Sequence, residues 1–169
     1  MKPVRCHSLW RPAALGLISS CAAAGATPAL NPTGVWKVAG YTATDPKSGA
    51  TTEPFGHDPQ GLAIYTAKGH MSVLVASRHR VSSTASGNRR NEERAQLLDS
   101  MYAYAGTYTV NGDTVTIHIE SAWQPSWVGT EKVRTLKMDQ HSLTVTTAPM
   151  VSPVDGRTYV SVTSFSRVE

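Results

Sequence analysis

His118 and Glu120 are the residues whose type and spacing best suit acid–base chemistry. They lie two apart in the run 114–122, which alternates polar and apolar residues, so on a strand both point to one face. In a barrel cavity, burial and mutual charge would shift both pKa values. Ile117 and Ile119 occupy the other face. Because alternating apolar residues usually mark the buried side, the sequence favours a solvent-exposed pair over a catalytic one.

Aromatic residues give the strongest indication of a binding site. Tyrosine combines an apolar ring with one hydroxyl, which suits a cavity for a small amphipathic molecule, although packing in an ordinary core explains some of these residues equally well. His70 begins a predicted strand and is expected near a barrel rim. With it, the ligand-binding candidates are Tyr65, His70, Tyr102, Tyr104, Tyr108 and Trp127.

Other catalytic chemistries find no support in the sequence. There is no Gly-x-Ser-x-Gly elbow, no phosphate-binding Walker loop and no Gly-x-Gly-x-x-Gly segment. No two histidines have metal-ligand spacing. We therefore expect neither a metal site nor a cofactor, and the sequence assigns no reaction.

The first 26 residues have the features of an export signal. Lys2, Arg5 and Arg11 precede a short apolar stretch and then small residues, and the stretch is too short to span a membrane. Two processing sites compete equally. Cleavage after Ala26 would release a soluble protein, whereas Ile18-Ser19-Ser20-Cys21 resembles a bacterial lipobox and would leave a lipidated Cys21. The predicted location is therefore periplasmic or anchored to the outer membrane.

If the export signal is removed, both the net charge and the cysteine content of the remaining protein change. Removal takes away three of the 16 basic residues and leaves 13 against 12 acidic ones, so the net charge falls from +4 to +1. The remaining balance gives no support for nucleic-acid binding. Both cysteines, Cys6 and Cys21, lie in the signal, so residues 27–169 form a single domain without thiols.

The remainder of the chain is predicted to be almost entirely strands joined by short turns. Hairpin turns are indicated at 67–69, 111–113 and 139–141, and Asn111-Gly112 is the strongest of them. Trp36, Val38 and Gly40 alternate with Lys37, Ala39 and Tyr41 in the first strand. Eight or nine such strands predict an all-β, antiparallel up-and-down barrel.

One segment departs from this pattern. Residues 82–90 are polar and predict a loop, and Asn91 then resembles a helix N-cap. A helix over about 91–103 would carry an apolar face, since Leu97, Leu98, Met101 and Tyr102 follow at helical spacing. Such an insertion either caps exposed core or forms a lid over a pocket mouth.

Several sequence blocks, in order, resemble a bacterial and fungal family of lipocalin-like domains. These blocks are Gly34-Val35-Trp36, residues 54–61 with 64–66, His70-Met71-Ser72, residues 102–108, residues 127–130, and Arg134. The resemblance implies a calycin-type barrel with an internal cavity and no assigned reaction. It places Trp36 at the closed end of the barrel beneath a basic side chain, for which Arg167 is the candidate and Arg134 the second choice. It also adds Arg134 to the ligand-binding candidates.

The predicted function is binding of a small hydrophobic or amphipathic molecule by an exported barrel. A cofactor-free isomerase or cyclase using His118 and Glu120 is the first alternative, with Tyr104 or Tyr108 as hydrogen-bond donor. A structural or interaction module of the envelope is the second. An apolar cavity would favour the carrier, a buried His–Glu pair the enzyme, and a filled barrel the interaction module.

Overall fold

The computed structural model describes residues 30–80 and 88–169, which form a closed antiparallel β-barrel of eight long strands. Two short strands and one α-helix accompany the barrel in these residues. The strands are β1 Gly34–Thr44, β2 Thr51–Thr52, β3 Gln60–Tyr65, β4 His70–Ala76, β5 Met101–Asn111, β6 Thr114–Ala122, β7 Glu131–Met138, β8 Ser142–Thr147, β9 Met150–Val151 and β10 Thr158–Arg167. The helix α1 is Asn88–Asp99, and a 3-10 turn spans Pro125–Trp127.

Pairing between neighbours in the chain confirms the predicted up-and-down barrel. The order of the long strands is β1-β3-β4-β5-β6-β7-β8-β10, and β1 pairs with β10 to close the sheet. The turns between β3 and β4, β5 and β6, and β7 and β8 fall where the sequence predicts hairpins. These three turns lie at one end of the barrel, so the longer connections gather at the other end.

A β-bulge in β1 reverses the alternation expected for that strand. Val38 pairs with Phe165 and Gly40 with Ser164, so Ala39 is an extra residue with no partner in β10. Beyond the bulge Tyr41 and Ala43 are buried, whereas strict alternation puts Tyr41 on the face opposite Trp36. The predicted orientation of Tyr41 is therefore wrong, and the bulge supplies the physical reason.

The inserted helix exists, but its predicted extent and apolar face are wrong. It begins at Asn88 and ends at Asp99, so Met101 and Tyr102 belong to β5. Leu98 is 49% exposed, and from Arg90 to Asp99 only Glu93 and Leu97 are even partly buried. The apolar spacing that suggested a longer helix combined the last helical turn with the first residues of a strand.

The predicted export signal, Cys21 included, and residues 81–87 of the predicted loop lie outside the described residues. Within the described ranges, no helix combines the length and apolar character needed to cross a membrane.

The hairpin-turn end of the barrel is closed around Trp36. This side chain is fully buried, its Nε1 donates a hydrogen bond to the Pro32 carbonyl at 2.7 Å, and the Arg167 guanidinium lies 4.0 Å from its ring centroid. Gly34 has φ +139°, and a Cβ there would meet the Glu169 carbonyl oxygen at 2.4 Å. Both ends of the described chain therefore meet at this end, because Leu30 also bonds to the Gly112 carbonyl.

Replacing Trp36 with alanine should lower the free energy of unfolding by about 3–5 kcal/mol, since it removes a large buried aromatic and leaves a cavity. Urea unfolding followed by circular dichroism measures this change. Leu62→Ala is the matched control, because Leu62 is 43% exposed on the outer wall and should cost less than about 1 kcal/mol. Equal losses for the two variants would contradict the role assigned to Trp36.

Candidate functional site

The open end of the barrel forms a cup of about 490 Å³. This volume lies in the range of about 300–1,000 Å³ that is typical of small-molecule sites. Its walls are aromatic, with Tyr41, Phe55, Tyr102, Trp123 and Trp127 among them. The buried Trp123 Nε1 has no hydrogen-bond partner in the described structure. The cup is therefore large enough to hold a ring system.

Below the cup lies a much smaller inner cavity of about 40 Å³. The two spaces share Tyr41, Tyr102, Trp127 and Tyr159, so they are successive parts of one site. Four polar residues, Arg134, Thr147, Ser161 and Thr163, form part of the wall of the inner cavity. About 10–15 Å³ holds one water, so this cavity accepts a group of only about two or three heavy atoms.

Arg134 is the buried charge of the inner cavity. It lies on β7 beside Val115 and Thr147, with 7% of its surface exposed, and one of its guanidinium nitrogens donates to the Val133 carbonyl at 2.8 Å. The positive charge of Arg134 also acts on Tyr104, where it opposes the burial that raises the pKa of the hydroxyl. None of the residues that line this cavity is an aspartate or a glutamate.

Five tyrosines surround this guanidinium. Burial raises the pKa of each hydroxyl, and in each case the positive charge of Arg134 opposes the rise. All five therefore stay neutral near pH 7 and keep their protons for hydrogen bonding. The five are Tyr41, Tyr65, Tyr102, Tyr104 and Tyr159.

Lys132 is a second cation close to this region. It lies two residues before Arg134 on β7, and its Nζ is 5.0 Å from the ring centroid of Trp127. Burial lowers its pKa, and the charge of Arg134 lowers it further. The two cations thus lie near each other, although Lys132 lines neither the cup nor the inner cavity.

Five of the seven predicted ligand-binding residues line the inner cavity: Tyr65, Tyr102, Tyr104, Trp127 and Arg134. The other two do not. Tyr108 packs edge-on against Tyr65, and its hydroxyl donates to the Thr66 carbonyl in the β3–β4 turn. His70 is exposed and starts β4 beside the same turn, at the closed end, so it lies far from the cup.

The structure places His118 and Glu120 on the outer surface. Both are exposed, while Ile117 and Ile119 are fully buried on the inner face. This is the solvent-exposed orientation that the alternation of Ile117 and Ile119 predicted. The acid–base hypothesis required the pair to face a cavity, and neither residue lines the cup or the inner cavity.

The helix α1 contributes little to the site. Asp99, its last residue, is its only member in the wall of the cup. Its main contacts are with β5, and the Leu97 carbonyl accepts a hydrogen bond from Arg80. Apart from Asp99, the described part of the helix does not line the cup. No three potential metal ligands cluster in the part of the chain that the structure describes.

The main site residues that the sequence did not identify are Tyr41 and Tyr159. Tyr41 was assigned to the outer face, although Gly40 beside it was an available signal for a bulge. Tyr159 begins the long final strand, and nothing in its local sequence distinguishes it from a surface residue. Phe55 joins the cup through its edge-on contact with Tyr41, at 4.8 Å between ring centroids.

The comparison with protein families agrees with this architecture. A family model described as a lipocalin-like domain matches residues 33–167. No curated protein matches the chain. Among solved structures, a redesigned β-barrel is similar, with a TM-score of 0.39 and 16% identity over 81% of this chain and 91% of that one.

Substitutions of Met101 and Leu98 test whether the wall of the cup or the surface of the helix contacts the ligand. Met101 lines the cup and Leu98 does not. Met101→Ser should weaken binding of a cup ligand about three- to tenfold, because it removes apolar contact worth about 1 kcal/mol. Leu98→Ser should leave the dissociation constant within about twofold, as measured by fluorescence titration. A larger loss for Leu98→Ser would show that the helix closes over the ligand.

Proposed function

Because this chain belongs to the lipocalin-like domain family, we propose that it binds a small hydrophobic or amphipathic molecule in the barrel cavity. The fold suggests ligand binding in general, and the identity of the ligand class is our inference. The observation that carries it is the aromatic cup of about 490 Å³ that continues into the inner cavity.

The distribution of side chains in the barrel supports a carrier over an interaction module. The half near Trp36 is filled by apolar side chains such as Val115, Leu136 and Leu143, which are fully or almost fully buried. The other half is lined by tyrosine and tryptophan around open space. An interaction module would have no need of this open half, whereas a carrier requires it.

Export of the protein is the second part of the proposal. It is supported by the basic, apolar and small-residue order of the first 26 residues. In this proposal the domain works in the periplasm or at the outer membrane, either soluble or anchored through Cys21.

A neutral fluorescent probe, N-phenyl-1-naphthylamine, tests the cavity directly. A ring system of this size loses about 300 Å² of apolar surface, worth roughly 7 kcal/mol before immobilisation costs, so we expect a dissociation constant of tens of micromolar. Trp127→Ala should weaken binding at least about fivefold. Leu74→Ala, on the exposed outer wall, is the control and should have no effect. Absence of any saturable fluorescence increase would refute cavity binding.

The proposed export predicts the N-terminus of the mature protein. Intact-mass measurement after expression in a bacterial host should show a chain that lacks residues 1–20. A chain starting at Thr27 in the soluble fraction identifies signal cleavage after Ala26, whereas acyl mass on Cys21 in the membrane fraction identifies lipidation. Cys21→Ser should abolish membrane association only in the second case. A cytoplasmic chain that retains Lys2 and Arg5 would contradict export.

A further inference from the structure

We propose that the cavity ligand carries an anionic group, a carboxylate or one of similar size, which enters the barrel first and pairs with Arg134 while the body of the ligand fills the cup. This inference rests on the proposed function, since it specifies the ligand of the same site. It assigns Arg134 as the residue that determines charge selectivity and fixes the orientation of the ligand.

The first argument is the absence of a counter-charge. A buried guanidinium is costly unless it is paired, and the ion pairs among the described residues involve His57, Arg78 and Arg157 rather than Arg134. A guanidinium has five N–H donors, and among the described residues the hydrogen bond that the Arg134 side chain makes runs to the Val133 carbonyl. The side chain therefore keeps donors and a full charge for a partner from outside the protein.

The second argument is size. The inner cavity of about 40 Å³ admits a carboxylate but not a ring, whereas the cup of about 490 Å³ admits a ring system. Because the small space lies beneath the large one, the charged group of the ligand must enter before its apolar body. The reverse orientation would leave the charge at the rim and the inner cavity empty.

The third argument is that the surroundings complement an anion. Tyr102 and Tyr104 line the inner cavity as neutral hydroxyls, which can donate hydrogen bonds to an oxyanion. Lys132 adds a second positive charge from the same strand. An anion paired with Arg134 would also be attracted by this second charge, although Lys132 does not line the inner cavity itself.

Carboxylates at the rim of the cup do not reverse this preference. Asp45 accepts hydrogen bonds from the backbone of Lys47 and Ser48, and Asp155 accepts one from the backbone of Arg157. The third carboxylate, Asp99, is exposed at the end of α1. All three contact water, where salt screens them. Arg134 is removed from water, so its charge acts on a bound group with much less screening.

Matched acids and amides test the proposal. Benzoate and benzamide, 2-naphthoate and 2-naphthamide, and decanoate and decanamide would each compete with bound N-phenyl-1-naphthylamine. In at least one pair the acid should bind at least about tenfold more tightly than its amide, as expected for a charge-assisted hydrogen bond in a buried site. Arg134→Met should remove that preference and leave the affinities of the amides within about twofold.

Arg134→Lys and Arg78→Met serve as controls. Lysine retains the charge and should preserve part of the acid preference, whereas Arg78 lies in an exposed ion pair with Asp58 and its loss should change nothing.

If Arg134→Met does not fold, the comparison of acids with amides on the wild type and on Arg134→Lys still decides the question. Equal binding of acids and amides, or displacement by neither while the naphthylamine binds, would overturn the anion site alone. Failure of the naphthylamine itself to bind would overturn the proposed function.

Discussion

Pairing of β1 with β10 is the constraint on which the rest of the structure depends. This ladder joins the first and last long strands, and it converts a meander with two open edges into a closed wall. Trp36 and Arg167 lie opposite each other in the same ladder, so the ring contact that seals one end is formed by the strands that close the sheet. The same pair of strands therefore closes both the wall of the barrel and its end at Trp36.

The cavity follows from an uneven distribution of side-chain chemistry along the barrel axis. Near Trp36 many inward residues are aliphatic and pack to exclude water, as Val115 and Leu136 do. Toward the opening aromatic rings predominate, and several pack edge-on, as Tyr41 does on Phe55 and Tyr104 on Trp127. Rings held apart in this way leave space between them, and their hydroxyls make that space polar.

The sequence predicts the barrel well because hairpin turns and alternation are local signals. Asn111-Gly112 and the apolar alternation of Ile117 and Ile119 each depend on a few consecutive residues, and both predictions agree with the structure. The predictions that failed depend on distant parts of the chain. Tyr41 faces inward because Ala39 finds no partner in a strand more than a hundred residues away.

In the candidate site, too, local features were predictable from the sequence, whereas features that depend on pairing between strands were not. Membership of an inward face was predictable for Tyr102 and Tyr104, but the position of a residue along the barrel axis was not. His70 and Tyr108 lie at the wrong end for the cup, and only the register of β4 against β5 determines that. Likewise, the helical spacing of Leu98 and Met101 was real, but Met101 gains more by pairing with Ala76 in the sheet than by extending a short helix.

Both ends of the described chain emerge at the pole opposite the opening. Leu30 bonds to the turn at Gly112, and the carbonyl of Glu169 accepts from Val35, so neither end approaches the cup. Whatever is joined to either end, whether a purification tag, a surface-coupling group or an acyl chain, therefore holds the barrel by its base. A molecule held directly at one of these ends has the opening of the cup on its far side, facing the surrounding solution.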